Sequence, residues 1–109
     1  MDSENAFTLF PNLLQEVPEV PQDGILSRTI FKSERLSVVL FAFDAGQELS
    51  EHTSSYPAVL HFIQGEATVT LGEETVTAGA HTWVHMQPHL PHSILAQTPV
   101  ILLLLMQRV

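Results

Sequence analysis

Six of the 109 residues are histidines: His52, His61, His81, His85, His89 and His92. Imidazole is the commonest side-chain metal ligand and titrates near neutrality, so metal binding or proton transfer is sought here first. Their spacing divides them. His81 and His85 fall in one expected strand, His81 to Met86. Four residues of strand cover ~13 Å, too far to share an ion. Trp83 lies between them on the same face, which marks that face for packing or for a dimer contact. His89 stands between Pro88 and Pro91 in an expected exposed loop. His61 sits inside the apolar segment Ala58 to Gln64 and is expected to be at least half-buried, as a core histidine. His52 and His92 are placed differently. Each is read at the start of a strand just after a loop. In a β-sandwich two such strands can be neighbours with both side chains pointing inward.

Other chemistries find less support. The chain has no cysteine, which removes disulfides, thiolate ligands and thiol nucleophiles. Ser54 and Ser55 lie near His52, but no nucleophile elbow surrounds them. Glu73-Glu74 occupies a turn, where solvated charge is expected, and there is no glycine-rich phosphate loop. Twelve acidic residues against four basic ones give a formal net charge of −8. A nucleic-acid partner needs a basic footprint to displace counterions from phosphates, and an anionic membrane surface repels the same charge. The chain is therefore read as binding neither, and a DNA-binding regulator is excluded on the same ground. Met1 to Asn5 is acidic and polar, unlike the start of a signal peptide. The longest apolar run, Val100 to Met106, falls short of the ~20 residues a spanning helix needs. A cytoplasmic protein is expected.

The elements that must position the histidines are strands. Residues 1–24 are broken by Pro11, Pro18, Pro21 and Gly24 and read as an irregular arm across the barrel or a partner subunit. Leu13 to Val17 could form one helical turn. From Ile25 the texture is β, with turn signals about every ten residues. Leu36 to Phe43 is almost wholly apolar, as in a strand buried on both faces. Ala58 to Gln64 is a second such segment. Glu66 to Leu71 alternates apolar and polar residues, and Gly72-Glu73-Glu74 is a hairpin turn. His92 to Gln97 and Val100 to Gln107 complete the chain around Thr98-Pro99. Eight or more short strands in residues 25–109, without helical periodicity, predict an all-β closed barrel or jelly roll.

Two segments carry a family resemblance. Asp44-Ala45-Gly46-Gln47-Glu48-Leu49-Ser50-Glu51-His52 resembles the first cupin motif, a glycine followed by five residues and a histidine, with Gly65 closing it. Gly79 to Pro88, with Pro91 and His92, resembles the second motif. The resemblance covers Phe31 to Val109 and implies a double-stranded β-helix, the RmlC-like jelly roll of small cupin-2-type domains. It also implies a site. Metal-binding cupins supply His-x-His and a Glu or His from the first motif, and a last His from the second. Here His52 and His92 match, whereas Ser54 and Ala58 occupy the other two positions. The second motif also has about two extra residues before His92 and lacks the usual loop glycine.

The resemblance thus implies one divalent transition metal (Fe, Mn, Ni, Cu or Zn) with half its ligands in place. A third ligand would come from His61 if a bulge turns it inward, from Glu48, Glu51 or Gln64, or from a bound substrate. Three readings follow. One is a metal-dependent enzyme, such as a dioxygenase, isomerase or decarboxylase, acting on a small organic molecule. Another is a non-catalytic sensor or carrier, in which Ser54 and Ala58 enlarge the pocket. The third is a structural role through the face around Trp83. Resemblance to other cupins implies a homodimer.

Overall fold

The computed structural model describes residues 6–17 and 19–108. Met1 to Asn5 and Pro18 of the arm, and Val109 of the barrel, lie outside the described residues. Nine strands follow one another: β1 (Ile25–Lys32), β2 (Leu36–Phe43), β3 (Glu48–His52), β4 (Ala58–Gln64), β5 (Ala67–Leu71), β6 (Glu74–Ala78), β7 (Trp83–Met86), β8 (His92–Ala96) and β9 (Val100–Gln107). They form two antiparallel sheets, ordered β1-β2-β9-β4-β7 and β3-β8-β5-β6. The architecture is the all-β jelly roll that the strand texture predicts.

Period-two alternation explains the core. Phe43, Phe62, Val69, Ile94 and Leu102 are fully buried between the sheets. Burying side chains of this size contributes about 1.5–3 kcal/mol each. The intervening residues Val38, Leu40, Ala42, Ile101 and Leu103 form a second apolar layer on the outer face of the five-stranded sheet. Leu13, Val17 and Val20 of the arm pack on that layer. Both faces of β2 and β9 are thus covered, which is why these strands read as continuous apolar runs.

The arm is held by one short 3-10 helix, Leu13–Glu16, whose Asn12 side chain accepts the Leu14 N–H. The Arg28 guanidinium donates to the Glu16 carbonyl at 2.8 Å and lies 3.5 Å from its carboxylate. That pair is solvent-exposed and adds less than about 1 kcal/mol, so the apolar contact of the arm dominates. No helix among the described residues is long and apolar enough to cross a membrane.

The structure corrects the expected His81–Met86 strand. β7 begins only at Trp83, and His81 sits in the preceding turn with φ +75°. Its N–H donates to the Phe62 carbonyl at 2.7 Å, which holds the turn against β4. His81 and His85 therefore do not share a strand face. Trp83 is 61% exposed, and its ring stacks beside that of His85 at 6.5 Å.

Two glycines shape the barrel ends for different reasons. Gly46 has φ +83° with open space where a Cβ would stand. Gly65 has φ +91°, and a Cβ there would lie 2.9 Å from Val100 Cα and closer still to the Pro99 carbonyl oxygen. Gly65→Ala is expected to lower unfolding stability by about 2–4 kcal/mol, since backbone strain and a backbone clash add. Gly46→Ala meets only the dihedral penalty, about 1–2 kcal/mol. Urea denaturation of the two variants checks this ordering, and equal losses would contradict it.

Candidate functional site

His52 and His92 face each other across the β3–β8 pair, where they are direct partners. The register explains why. Leu49 pairs with Ile94 and packs on the inner core. Three residues on, His52 would point outward by simple alternation. β3 carries one extra residue here, so the step from Leu49 to His52 matches the two-residue step from Ile94 to His92. This bulge turns His52 to the inner side. His52 closes β3 rather than opening a strand, which corrects the sequence reading, whereas His92 opens β8 as expected.

Backbone carbonyls fix both rings. His52 Nδ1 lies 2.8 Å from the Ser50 oxygen and His92 Nδ1 2.9 Å from the Leu90 oxygen. A carbonyl only accepts, so each Nδ1 carries the proton and donates. Each neutral ring then keeps its lone pair on Nε2, the tautomer that binds a metal or accepts a proton. The ring centroids are 4.2 Å apart with planes tilted by 56°. His92 is buried and His52 is exposed.

The pair lines a cavity of 410 Å³ together with Ser54, Tyr56, Ala58, Met86, Leu104 and Met106. Ala58 pairs with Met86 on one side and Met106 on the other, so the three form a row across the inner face of the five-stranded sheet. That row faces the histidines on the opposite sheet. Two loops make the rim. The His89 N–H donates to the Ser54 carbonyl at 2.7 Å, which ties the loop before His92 to the loop after His52. The Ser54 hydroxyl accepts the Tyr56 N–H at 3.1 Å and donates to Met106 Sδ at 3.9 Å.

None of the alternative third ligands lines this cavity. His61 lies between the inward Leu60 and Phe62, on the outer face of β4, half-buried beside Trp83 and Leu103. The one irregularity in β4 falls after Phe62 and does not turn it. Glu48 is the outward neighbour of Leu49, and Glu51 is exposed in the bulged segment. Gln64 is six residues along β4 from Ala58, ~20 Å away at strand rise.

No family model and no curated protein matches the sequence. Solved structures do. A conserved protein of unknown function from Streptococcus pyogenes is 31% identical, with 97% of this chain and 90% of that one covered at TM-score 0.82. A cupin superfamily protein from Desulfitobacterium hafniense is 22% identical, with 95% of each chain covered at TM-score 0.83. KdgF from Halomonas sp. is 19% identical, with 95% and 96% covered at TM-score 0.80.

The chain has the fold of a small cupin domain. The two segments that resemble cupin motifs bring His52, Ser54, Ala58 and His92 to the lining of one cavity. The residues present do not fit the divalent metal that the cupin resemblance implies. Among the described residues no group of three His, Cys, Asp or Glu converges, and the cavity lining contains no carboxylate. A divalent ion held by two neutral imidazoles would have one protein ligand fewer than the three that catalytic zinc sites supply, and no carboxylate to offset its charge. Met86, Met106 and Tyr56 are lining residues that the sequence reading missed. The signal for the methionines was there: apart from Met1 they are the only two in the chain.

His92 is held below the ordinary imidazole value of 6.5, first by burial, against the raising effect of the Leu90 carbonyl, and further by His52. The unfolded chain therefore protonates first as pH falls. This contribution to stability is complete above the unfolded value near 6.5 and is lost as pH drops toward the lower folded value. His92→Asn keeps a donor for the Leu90 carbonyl but does not titrate. The wild type is expected to lose urea resistance between about pH 7.5 and 5.5 by more than His92→Asn does. Parallel losses would show that His92 is not the group responsible.

Proposed function

We propose that this cupin binds a small, uncharged, hydroxyl-bearing organic molecule, as a sensor or carrier rather than as a metal-dependent enzyme. One observation carries the reading: the 410 Å³ cavity is lined by neither a carboxylate nor a Lys or Arg. Its volume suits a small ligand, and its composition fits an apolar body with few polar points of attachment. Met86, Leu90, Leu104 and Met106 supply the apolar wall, and the Nε2 atoms of His52 and His92 supply two acceptors. A ligand hydroxyl donates to those acceptors. A ligand carboxylate meets lone pairs and no cation, so it is rejected.

The enzymatic reading, a dioxygenase, isomerase or decarboxylase, draws on the same two histidines but lacks the charge balance its divalent ion needs. Thermal-shift measurements separate ligand classes directly. Phenol, catechol and benzyl alcohol at millimolar concentration are expected to raise the melting temperature, and benzoate is not. The shift should disappear in His52→Ala. Stabilisation by benzoate alone, or by none of these compounds, would sink the proposal.

A further inference from the structure

We propose that the cavity is a copper(I) site in which His52 Nε2, His92 Nε2 and the thioethers of Met86 and Met106 hold one ion. This goes beyond the organic-ligand reading and does not depend on it. Three independent features converge. The first is the donor set: both internal methionines of the chain and the inward histidine pair line the same cavity. Thioether and imidazole are soft and borderline donors, and that combination selects copper(I) over harder ions.

The second feature is placement. Ala58 stands where metal-binding cupins would carry a Glu or His, and its register partners on either side are Met86 and Met106. The small side chain leaves the space in front of the sheet to its two long neighbours. Facing sheets are about 10 Å apart, a gap that an imidazole from one side and a thioether from the other can close. The Ser54 hydroxyl, donating to Met106 Sδ at 3.9 Å, locates that sulfur at the cavity wall beside the residue that follows His52 by two. On the opposite sheet the imidazole centroids stand 4.2 Å apart. A four-coordinate copper(I) ion is tetrahedral, and two imidazoles meeting it through Nε2 at about 2.0 Å have centroids about 5 Å apart, so the rings part by about 1 Å to hold it.

The third feature is charge. The Born cost of desolvating an ion scales with the square of its charge, so a monovalent ion incurs about a quarter of the cost of a divalent ion of the same size. A cavity without a carboxylate therefore favours copper(I) over the divalent metals. The feature that removes the family's usual cofactor favours this ion.

The test is anaerobic titration with copper(I) in competition with a chromophoric chelator, bathocuproine disulfonate, beside a parallel titration with zinc(II). The wild type is expected to withdraw about one equivalent of copper(I) and to bind zinc(II) at least about a hundredfold more weakly. Met86→Leu/Met106→Leu preserves side-chain volume and is expected to weaken copper(I) binding by about tenfold or more. If the double variant does not fold, Met106→Leu alone, with X-ray absorption of the copper-loaded wild type, decides: sulfur as well as nitrogen scatterers are expected. Copper left with the chelator, zinc bound as tightly as copper(I), affinity unchanged in the leucine variants, or nitrogen scatterers alone would each overturn the proposal. None of these results bears on whether the metal-free protein binds phenols.

Discussion

Between Leu49 and His52, β3 holds one residue more than the strand it pairs with, and the site depends on that insertion. Without it, strand parity would send His52 to solvent and leave His92 without its partner ring. With it, the two imidazoles stand opposite each other on the inner face. The neighbouring backbone then completes the arrangement. The carbonyls of Ser50 and Leu90, each two residues upstream of its histidine, take the Nδ1 protons and leave both Nε2 lone pairs free. Two loops and one bulge thus fix orientation and tautomer together, without any acidic side chain.

The opposing sheet determines what those lone pairs can meet. Ala58, flanked in register by Met86 and Met106, gives an apolar and polarizable wall in place of a carboxylate. Two neutral acceptors against a neutral wall favour uncharged donors and soft monovalent ions. They disfavour anions and divalent metals, for the same reason of unbalanced charge in a partly desolvated space. The organic-ligand and copper readings are therefore two consequences of one electrostatic fact.

Much of this was legible in the sequence. The apolar runs Leu36 to Phe43 and Val100 to Gln107, the alternation at Glu66 to Leu71 and the punctuating glycines sufficed for the jelly roll. Gly46, Gly65, His52 and His92 sufficed for the cupin resemblance and the mouth of the pocket. Three things were not legible, each for a structural reason. The β3 bulge leaves no compositional trace, so parity along Glu48 to His52 gives no safe direction for the ring. His81 looked like strand because His-Thr-Trp-Val-His-Met alternates, whereas its backbone is left-handed and its N–H donates to the Phe62 carbonyl of a strand distant in sequence. The Met86–Ala58–Met106 row joins three strands distant in sequence, and only the register of β4 with β7 and β9 brings it together.

The central claim is that backbone carbonyls lock both imidazoles with Nδ1 protonated and Nε2 open to the cavity. Long-range proton–nitrogen correlation of the histidine rings, at about pH 7.5 in metal-free protein, reads the tautomer of each ring directly. The account predicts a protonated Nδ1 and an unprotonated Nε2 for both His52 and His92. A proton on Nε2 of either ring, or rapid averaging between the two nitrogens, would contradict it.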